Sequence, residues 1–321
     1  MKNQFSHPQQ HWLFAILYAL FFVFLIPWTD ILGREFSDIA NYLNRIVYLK
    51  GDGSEAILFG VQWLLDEPLW KWIIIAIGYI FDDYRFALYC ISLIAMLFYG
   101  SFFFRRIEYY IIMVLLINPM TVNLFIEQIR IALAFSLLLV AYDLSSKRFT
   151  LLLLIMAFLI HASMPIFIGL YFILYQLNKR VEARKYYLVA IGLAVVMALF
   201  MRYGLDFILH LLGDRHAGYS NVIEGSSLSY SIFWFMLAML LSVFSDFENE
   251  KERILIAYAI VFMSFFFFSS LLGMFSQRYV AVIMPIIIIA ISFLPKHFKQ
   301  GTYVVFFAYN LLMFKYWLAA G

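Results

Sequence analysis

The stretch Asn123–Tyr142, NLFIEQIRIALAFSLLLVAY, is an apolar run entered through two charges, Glu127 and Arg130. Three positions apart, those charges share one face if the segment is a continuous helix. An arginine near the centre of a spanning helix costs roughly 2.5 to 3.5 kcal/mol, less towards the interface, so it faces a partner charge, a protein interior or a water-filled cavity. Two readings follow. In one, Glu127 and Arg130 form a structural ion pair that snorkels to the membrane surface. In the other, Arg130 belongs to an anion site, with Asn123 and Glu127 at its mouth.

The rest of the chain places this stretch in a membrane. Of its 321 residues, 65 % are hydrophobic and 13 % charged, and the mean hydropathy is +0.88, which leaves too little polar surface to cover a soluble core of this size. The long Leu, Ile and Phe runs show no alternation of period two, so the spans are helices and not barrel strands. The expected fold is all-α: one integral membrane domain over residues 1–321, a transmembrane helical bundle with about 11 membrane segments.

Full crossings are expected near 12–29, 86–104, 107–122, 127–143, 186–203, 230–245, 254–273, 279–294 and 302–319. The first lacks a small-residue cleavage site and reads as a retained span. Two further apolar stretches are interrupted. Residues 149–175 are broken by His161-Ala162-Ser163 and Pro165, with basic residues before and after, so both ends lie on the cytoplasmic side. A half-helix of about 12 residues rises about 18 Å, a little over half of a hydrocarbon core about 30 Å thick, which gives a re-entrant hairpin with His161 at its tip. Residues 56–81 break at Asp66-Glu67-Pro68, where proline disfavours helix at Glu67 and suits a new first turn; a second re-entrant dip and an ordinary crossing are both open there.

With that hairpin, the basic clusters at 105–106, 147–148, 179–185, 251–253 and 296–299 all fall in short cytoplasmic loops. The amino terminus is then cytoplasmic and the carboxyl terminus outside, with segments 30–67 and 204–229 on the outer face. The basic residues left on that face are mostly arginines: Arg34, Arg45, Arg85, Arg130, Arg202, Arg215 and Arg278. Arginine pairs with phosphate or carboxylate oxygens through a planar fork, whereas lysine is a point charge, so the bias points to a phosphate-bearing ligand. Any one of them alone reads as a surface anchor, and only the set points to a ligand.

His161 is the one histidine deep in an apolar run. It reads either as a packed core residue or as a base that deprotonates a hydroxyl. Glu35, Asp38, Glu67 and Glu127 are the acidic candidates on the outer side, each also able to serve as an arginine's partner. Tyr42, Trp63, Trp70, Tyr203, Tyr219 and Tyr279 near the outer boundary would stack on sugar rings, although an interfacial aromatic belt explains most of them without any ligand. Cys90 is the single cysteine, so no internal disulfide forms. The chain has no phosphate-binding glycine loop, no histidine pair at metal-ligand spacing and no Gly-x-Ser-x-Gly elbow. No cofactor, metal or nucleic acid is expected.

Five motifs resemble the Wzy/EpsG group of bacterial polysaccharide polymerases: Asp38-Ile39-Ala40-Asn41-Tyr42, Glu67-Pro68-Leu69-Trp70, Gln128-Ile129-Arg130-Ile131-Ala132-Leu133-Ala134, Ala157-Phe158-Leu159-Ile160-His161-Ala162-Ser163 and Arg278-Tyr279. Trp70 stands where that group favours tyrosine, and Ala162 where lysine is common. The resemblance implies an inner-membrane glycosyltransferase working at the periplasmic face on O-antigen, capsule or exopolysaccharide repeat units. Such an enzyme moves a glycan from undecaprenyl diphosphate to the non-reducing end of another lipid-linked unit, needs no cofactor, and acts beside a flippase and a chain-length regulator.

Carried onto this chain, the resemblance makes Arg130 and Arg278 diphosphate ligands and His161 a base or orienting group; the orientation of the spans, which puts Arg130 on the outer side, makes Glu127 the residue that positions it. Arg34, Asp38, Tyr42, Glu67, Asn123, Arg202, Arg215 and Tyr279 would contact substrate. Two other classes stay open: a lipid-oligosaccharide flippase or transporter, which would also use broken helices and charged cavities, and a membrane acyltransferase.

Overall fold

A computed structural model describes residues 8–51, 66–108, 117–205, 228–247, 249–274 and 276–319, together with Trp63, Ile111, Phe207 and Ile208. Arg215, and with it most of segment 204–229 and part of segment 30–67, lies outside the described residues.

Every regular element among the described residues is helical: α1 (Pro8–Leu20), α2 (Trp28–Leu32), α3 (Ser37–Gly51), α4 (Pro68–Ile80), α5 (Tyr84–Phe104), α6 (Pro119–Val122), α7 (Ile129–Asp143), α8 (Lys147–Ile160), α9 (Met164–Asn178), α10 (Ala183–Leu199), α11 (Leu228–Phe244), α12 (Glu250–Leu271), α13 (Gln277–Val282), α14 (Met284–Ser292) and α15 (Lys296–Ala319). Single π-helical turns extend α1 over Phe21–Leu25, α6 over Asn123–Glu127 and α10 over Phe200–Gly204.

Tyr84–Phe104, Lys185–Gly204 and Glu250–Leu271 are long and apolar enough to cross a membrane. Gln10–Leu25, Pro68–Ile80, Met164–Asn178 and Leu228–Phe244 are shorter apolar helices. The protein is therefore a helical membrane protein. Two expected crossings take a different form. The crossing expected at 127–143 is a helix over Ile129–Asp143 that joins the preceding Pro119–Glu127 at a bend of 101°. The run 279–294 divides at Ile283 into α13 and α14, with Pro285 supplying the first turn of the second helix.

Local chemistry sets many of the helix starts. Asp83 accepts from the Phe86 N–H (2.9 Å) to begin α5, Asn118 from Thr121 (2.9 Å) ahead of Pro119 in α6, and Asn249 from Glu252 (3.0 Å) in α12. Gly33 closes α2 in the left-handed region at φ 67°, a conformation that costs a residue with a Cβ about 1 kcal/mol.

The chain forms two compact units. The first comprises the residues up to Pro165 together with those from Phe306 onward, and the second comprises Ile166–Val305. In the first unit α1 and α7 both pack on α5, α8 packs on α7 and α4, and α3 lies along α4. An aromatic cluster fills its centre. Tyr99 meets Phe125 edge-on at 4.7 Å, Phe22 contacts Trp28 at 5.3 Å, and the Trp28 indole donates to the Phe22 carbonyl at 2.7 Å.

In the second unit α12 is the central helix, buried along most of its length, with α10, α11 and α14 packed against it. Arg253 at its start donates to the Val181 carbonyl (2.9 Å) and lies over the Tyr186 ring (4.4 Å), which ties the loop before α10 to α12.

Candidate functional site

Three helix discontinuities in the first unit meet at one carboxylate. The first is Glu67, the residue before α4. It is the only non-glycine residue with positive φ among the described residues, at φ 56° and ψ 58°. Pro68 behind it starts the helix, and the left-handed backbone costs roughly 1 to 2 kcal/mol that the surroundings must offset.

The second is Gln128, at φ −94° and ψ 46°, where the π turn Asn123–Glu127 ends and α7 begins at its 101° bend. Its N–H donates to the Asn123 carbonyl at 2.8 Å. This bend overturns the expectation that Glu127 and Arg130 share a helix face. Glu127 instead accepts from the Ser37 hydroxyl at 2.7 Å, and Arg130, in the first turn of α7, pairs with Glu67.

The third is the turn His161-Ala162-Ser163 between α8 and α9, at the break foreseen from the sequence. His161 takes an extended backbone (φ −146°, ψ 120°). The Ala162 N–H donates to Glu67 Oε1 at 3.1 Å, so the carboxylate has Arg130 on one oxygen and a main-chain donor on the other. Its side chain is 8 % exposed, while that of Arg130 is 28 % exposed, so the pair is sealed on the carboxylate side and open on the guanidinium side. Removing one member of such a buried pair costs about 3 to 5 kcal/mol, chiefly because the other charge is left unpaired.

The histidine ring is oriented within its own turn. The Ser163 N–H donates to His161 Nδ1 at 3.1 Å, and Ser163 Oγ lies 3.1 Å from the same nitrogen. A main-chain N–H only donates, so Nδ1 carries a lone pair and the neutral ring holds its proton on Nε2. Glu67 Oε1 is also nearest Nδ1, at 3.5 Å. Hydroxyl and carboxylate thus address one nitrogen, unlike a nucleophile–histidine–acid triad, in which they use opposite nitrogens.

Around this junction lie Tyr42, Trp70 and Asp38. Tyr42 is buried and meets Trp70 edge-on at 5.3 Å. Burial pushes its phenol up to about 12; Arg130 opposes the rise, while Asp38 and Glu67 add to it. Three buried polar atoms here find no hydrogen-bond partner among the described residues: Arg130 Nε, Trp70 Nε1 and Gln128 Oε1. Each such atom costs about 1 to 3 kcal/mol until something supplies the bond.

The remaining candidates fall elsewhere. Arg34 is exposed just ahead of α3, beside an exposed Glu35–Arg85 pair at 2.7 Å. Asn123 is half-buried at the start of its π turn. Arg202, Arg278 and Tyr279 belong to the second unit. There the Tyr279 ring stacks on Phe262 (6.2 Å) and meets Phe265 edge-on (5.3 Å), while Arg278 beside it is exposed.

The sequence alone does not single out Ser163 or the Ala162 N–H. The available signal was a small polar residue two positions after the helix-breaking histidine, the place where a short side chain begins the next helix.

Comparison with known proteins adds one finding: residues 12–320 match the model of the EpsG family. No curated protein and no solved structure matches.

Proposed function

The chain belongs to the EpsG family, and on that premise we propose that it polymerises lipid-linked oligosaccharide repeat units at the outer face of the bacterial inner membrane. In this reading it transfers the growing glycan from undecaprenyl diphosphate to the non-reducing end of a second lipid-linked unit and releases undecaprenyl diphosphate. The diphosphate link already activates the sugar, so no nucleotide enters the reaction. The amino terminus is cytoplasmic, the carboxyl terminus periplasmic, and segments 30–67 and 204–229 face the periplasm. A flippase supplies the substrate and a chain-length regulator limits the product.

The observation that carries this reading is the junction of Glu67, Arg130 and the His161–Ser163 turn. Broken helices are tolerated within a membrane only where protein or water surrounds the freed backbone, and there they mark binding sites for charged groups. The acceptor hydroxyl oxygen bonds to the anomeric carbon as the carbon–oxygen bond to the diphosphate breaks, and the electron pair leaves with the diphosphate. Arg130 stabilises that charge through its exposed side. The hydroxyl proton passes to Ser163 Oγ, whose own proton moves to Nδ1 of His161. Glu67 then faces the resulting imidazolium. The 3.1 Å and 3.5 Å approaches to Nδ1 support this order of transfer. Tyr42, Asp38 and Arg34 serve the sugar, with Asn123 beside them. On the second unit, Arg202, Arg278 and Tyr279 are proposed substrate contacts in their own right.

The test is to incubate the purified protein with lipid-linked repeat units and separate the products by length. A ladder of longer glycans with the wild type, lost in Arg130→Ala, is expected. No ladder with the wild type, or an undiminished one in Arg130→Ala, overturns the mechanism. Passage of the lipid-linked unit across vesicles without a ladder identifies a flippase instead.

A further inference from the structure

The Glu67 carboxylate is bound as an anionic ligand would be. One oxygen takes the Arg130 guanidinium and the other takes the Ala162 N–H at 3.1 Å, donors of the two kinds that hold phosphate oxygens elsewhere in proteins. The same place receives the amino-terminal ends of three helices: Glu67 precedes α4, Arg130 lies in the first turn of α7, and Ala162 lies two residues before α9. Those ends add partial positive charge to the site.

Two further features are unexpected for a purely structural pair. Glu67 meets its partners from a left-handed backbone, at φ 56°, which no helix start requires. Arg130 Nε stays buried without a partner among the described residues, so the junction has a donor that one carboxylate leaves unused.

We infer that Glu67 is an internal stand-in for the substrate: in the ligand-free chain its carboxylate occupies the place of one phosphate of the lipid diphosphate, whose ligands are the Arg130 guanidinium and the Ala162 N–H. This names the diphosphate subsite of the proposed polymerase and rests on that reading. Binding moves the carboxylate off Arg130 and the Ala162 N–H towards His161 Nδ1, where it faces the imidazolium of the transfer step, and the second phosphate meets Arg130 Nε, the donor left unused. The carboxylate also sets how tightly the product is held. An arginine without a competing anion would retain undecaprenyl diphosphate after each transfer, whereas Glu67 returns to its place as the product departs.

The test measures the affinity of inorganic diphosphate for the full-length protein in detergent, by calorimetry, for the wild type, Glu67→Gln, Glu67→Ala, Arg130→Ala and Glu182→Gln. Glu182 belongs to an exposed pair with Lys185 and serves as the control. Removing the stand-in should tighten diphosphate at least tenfold in both Glu67 variants, while Arg130→Ala weakens it at least tenfold and Glu182→Gln leaves it unchanged. Equal or weaker binding in folded Glu67 variants overturns the inference and makes Glu67 a structural pin.

Should both Glu67 variants fail to fold, the wild type decides. In protein labelled with 15N-alanine, saturating diphosphate must shift the Ala162 amide signal, assigned by its loss in Ala162→Gly. An unmoved signal overturns the inference. Failure of the polymerase reading is separate: tightening by Glu67→Gln without any glycan ladder leaves the anion subsite standing, while a ladder without tightening removes the subsite alone.

Discussion

Arg130 is paired with Glu67, 63 residues earlier in the chain, and not with Glu127 three residues before it. The guanidinium therefore has two duties, holding a nearly buried carboxylate and facing substrate, and its replacements should separate them. Arg130→Lys keeps the charge and loses the fork. Its turnover in the ladder assay should fall roughly 100- to 1,000-fold, the range for losing one charge-stabilising donor, with a smaller drop in unfolding temperature than Arg130→Ala. Equal thermal losses in the two variants would show that the charge contributes nothing to holding Glu67.

Ser163→Ala removes the hydroxyl 3.1 Å from His161 Nδ1 and leaves the Ser163 N–H in place. If the proton leaves through Ser163, kcat should drop about 100-fold with little change in KM, within the usual range for positioned proton transfer. Steady-state kinetics on a lipid-linked acceptor checks this. An unchanged kcat would leave His161 as an orienting group only.

The orientation is open to cysteine labelling. With the single Cys90 replaced by alanine, Glu182→Cys in the exposed loop before α10 should react with a membrane-impermeant maleimide only from the cytoplasmic side. Glu35→Cys ahead of α3 should react only from the outside. Labelling of residue 182 from the periplasm removes the re-entrant hairpin around His161.

Backbone conformation alone should separate two glycines. Gly33 has φ 67°, and a Cβ there meets nothing within 4 Å, so Gly33→Ala should destabilise by about 1 kcal/mol through strain only. Gly169, in α9, is equally uncrowded but helical, and Gly169→Ala should be neutral or stabilise by about 0.5 to 1 kcal/mol. Thermal unfolding in one detergent compares the two.

The long crossings were legible because apolar composition is enough to specify them, and Tyr84–Phe104, Lys185–Gly204 and Glu250–Leu271 lie close to where hydropathy puts them. Breaks announced by Asp66-Glu67-Pro68 and His161-Ala162-Ser163 were legible too, since proline and small polar residues interrupt an otherwise apolar run. The bend at Gln128 was not: Glu-Gln-Ile-Arg contains no helix breaker, and the charges on either side of it take distant partners, Ser37 and Glu67, that no local pattern announces. The break at Ile283 was available from Pro285, which the uniform isoleucine run concealed. Glu67, Arg130 and His161 each stood out singly in the sequence. Their union did not, because it joins segments whose spacing carries no local pattern.

That union also fixes an order of events during synthesis. Glu67 emerges first, Arg130 follows 63 residues later and the Ala162 N–H arrives 95 residues after Glu67. At roughly 5 to 20 residues per second, the carboxylate waits about 3 to 13 s for its counter-charge and about 5 to 19 s for its last donor. Until then it must be kept wet or held by the insertion machinery. A nascent chain that stops before the turn at 162 carries every apolar span up to α8 and still lacks the junction.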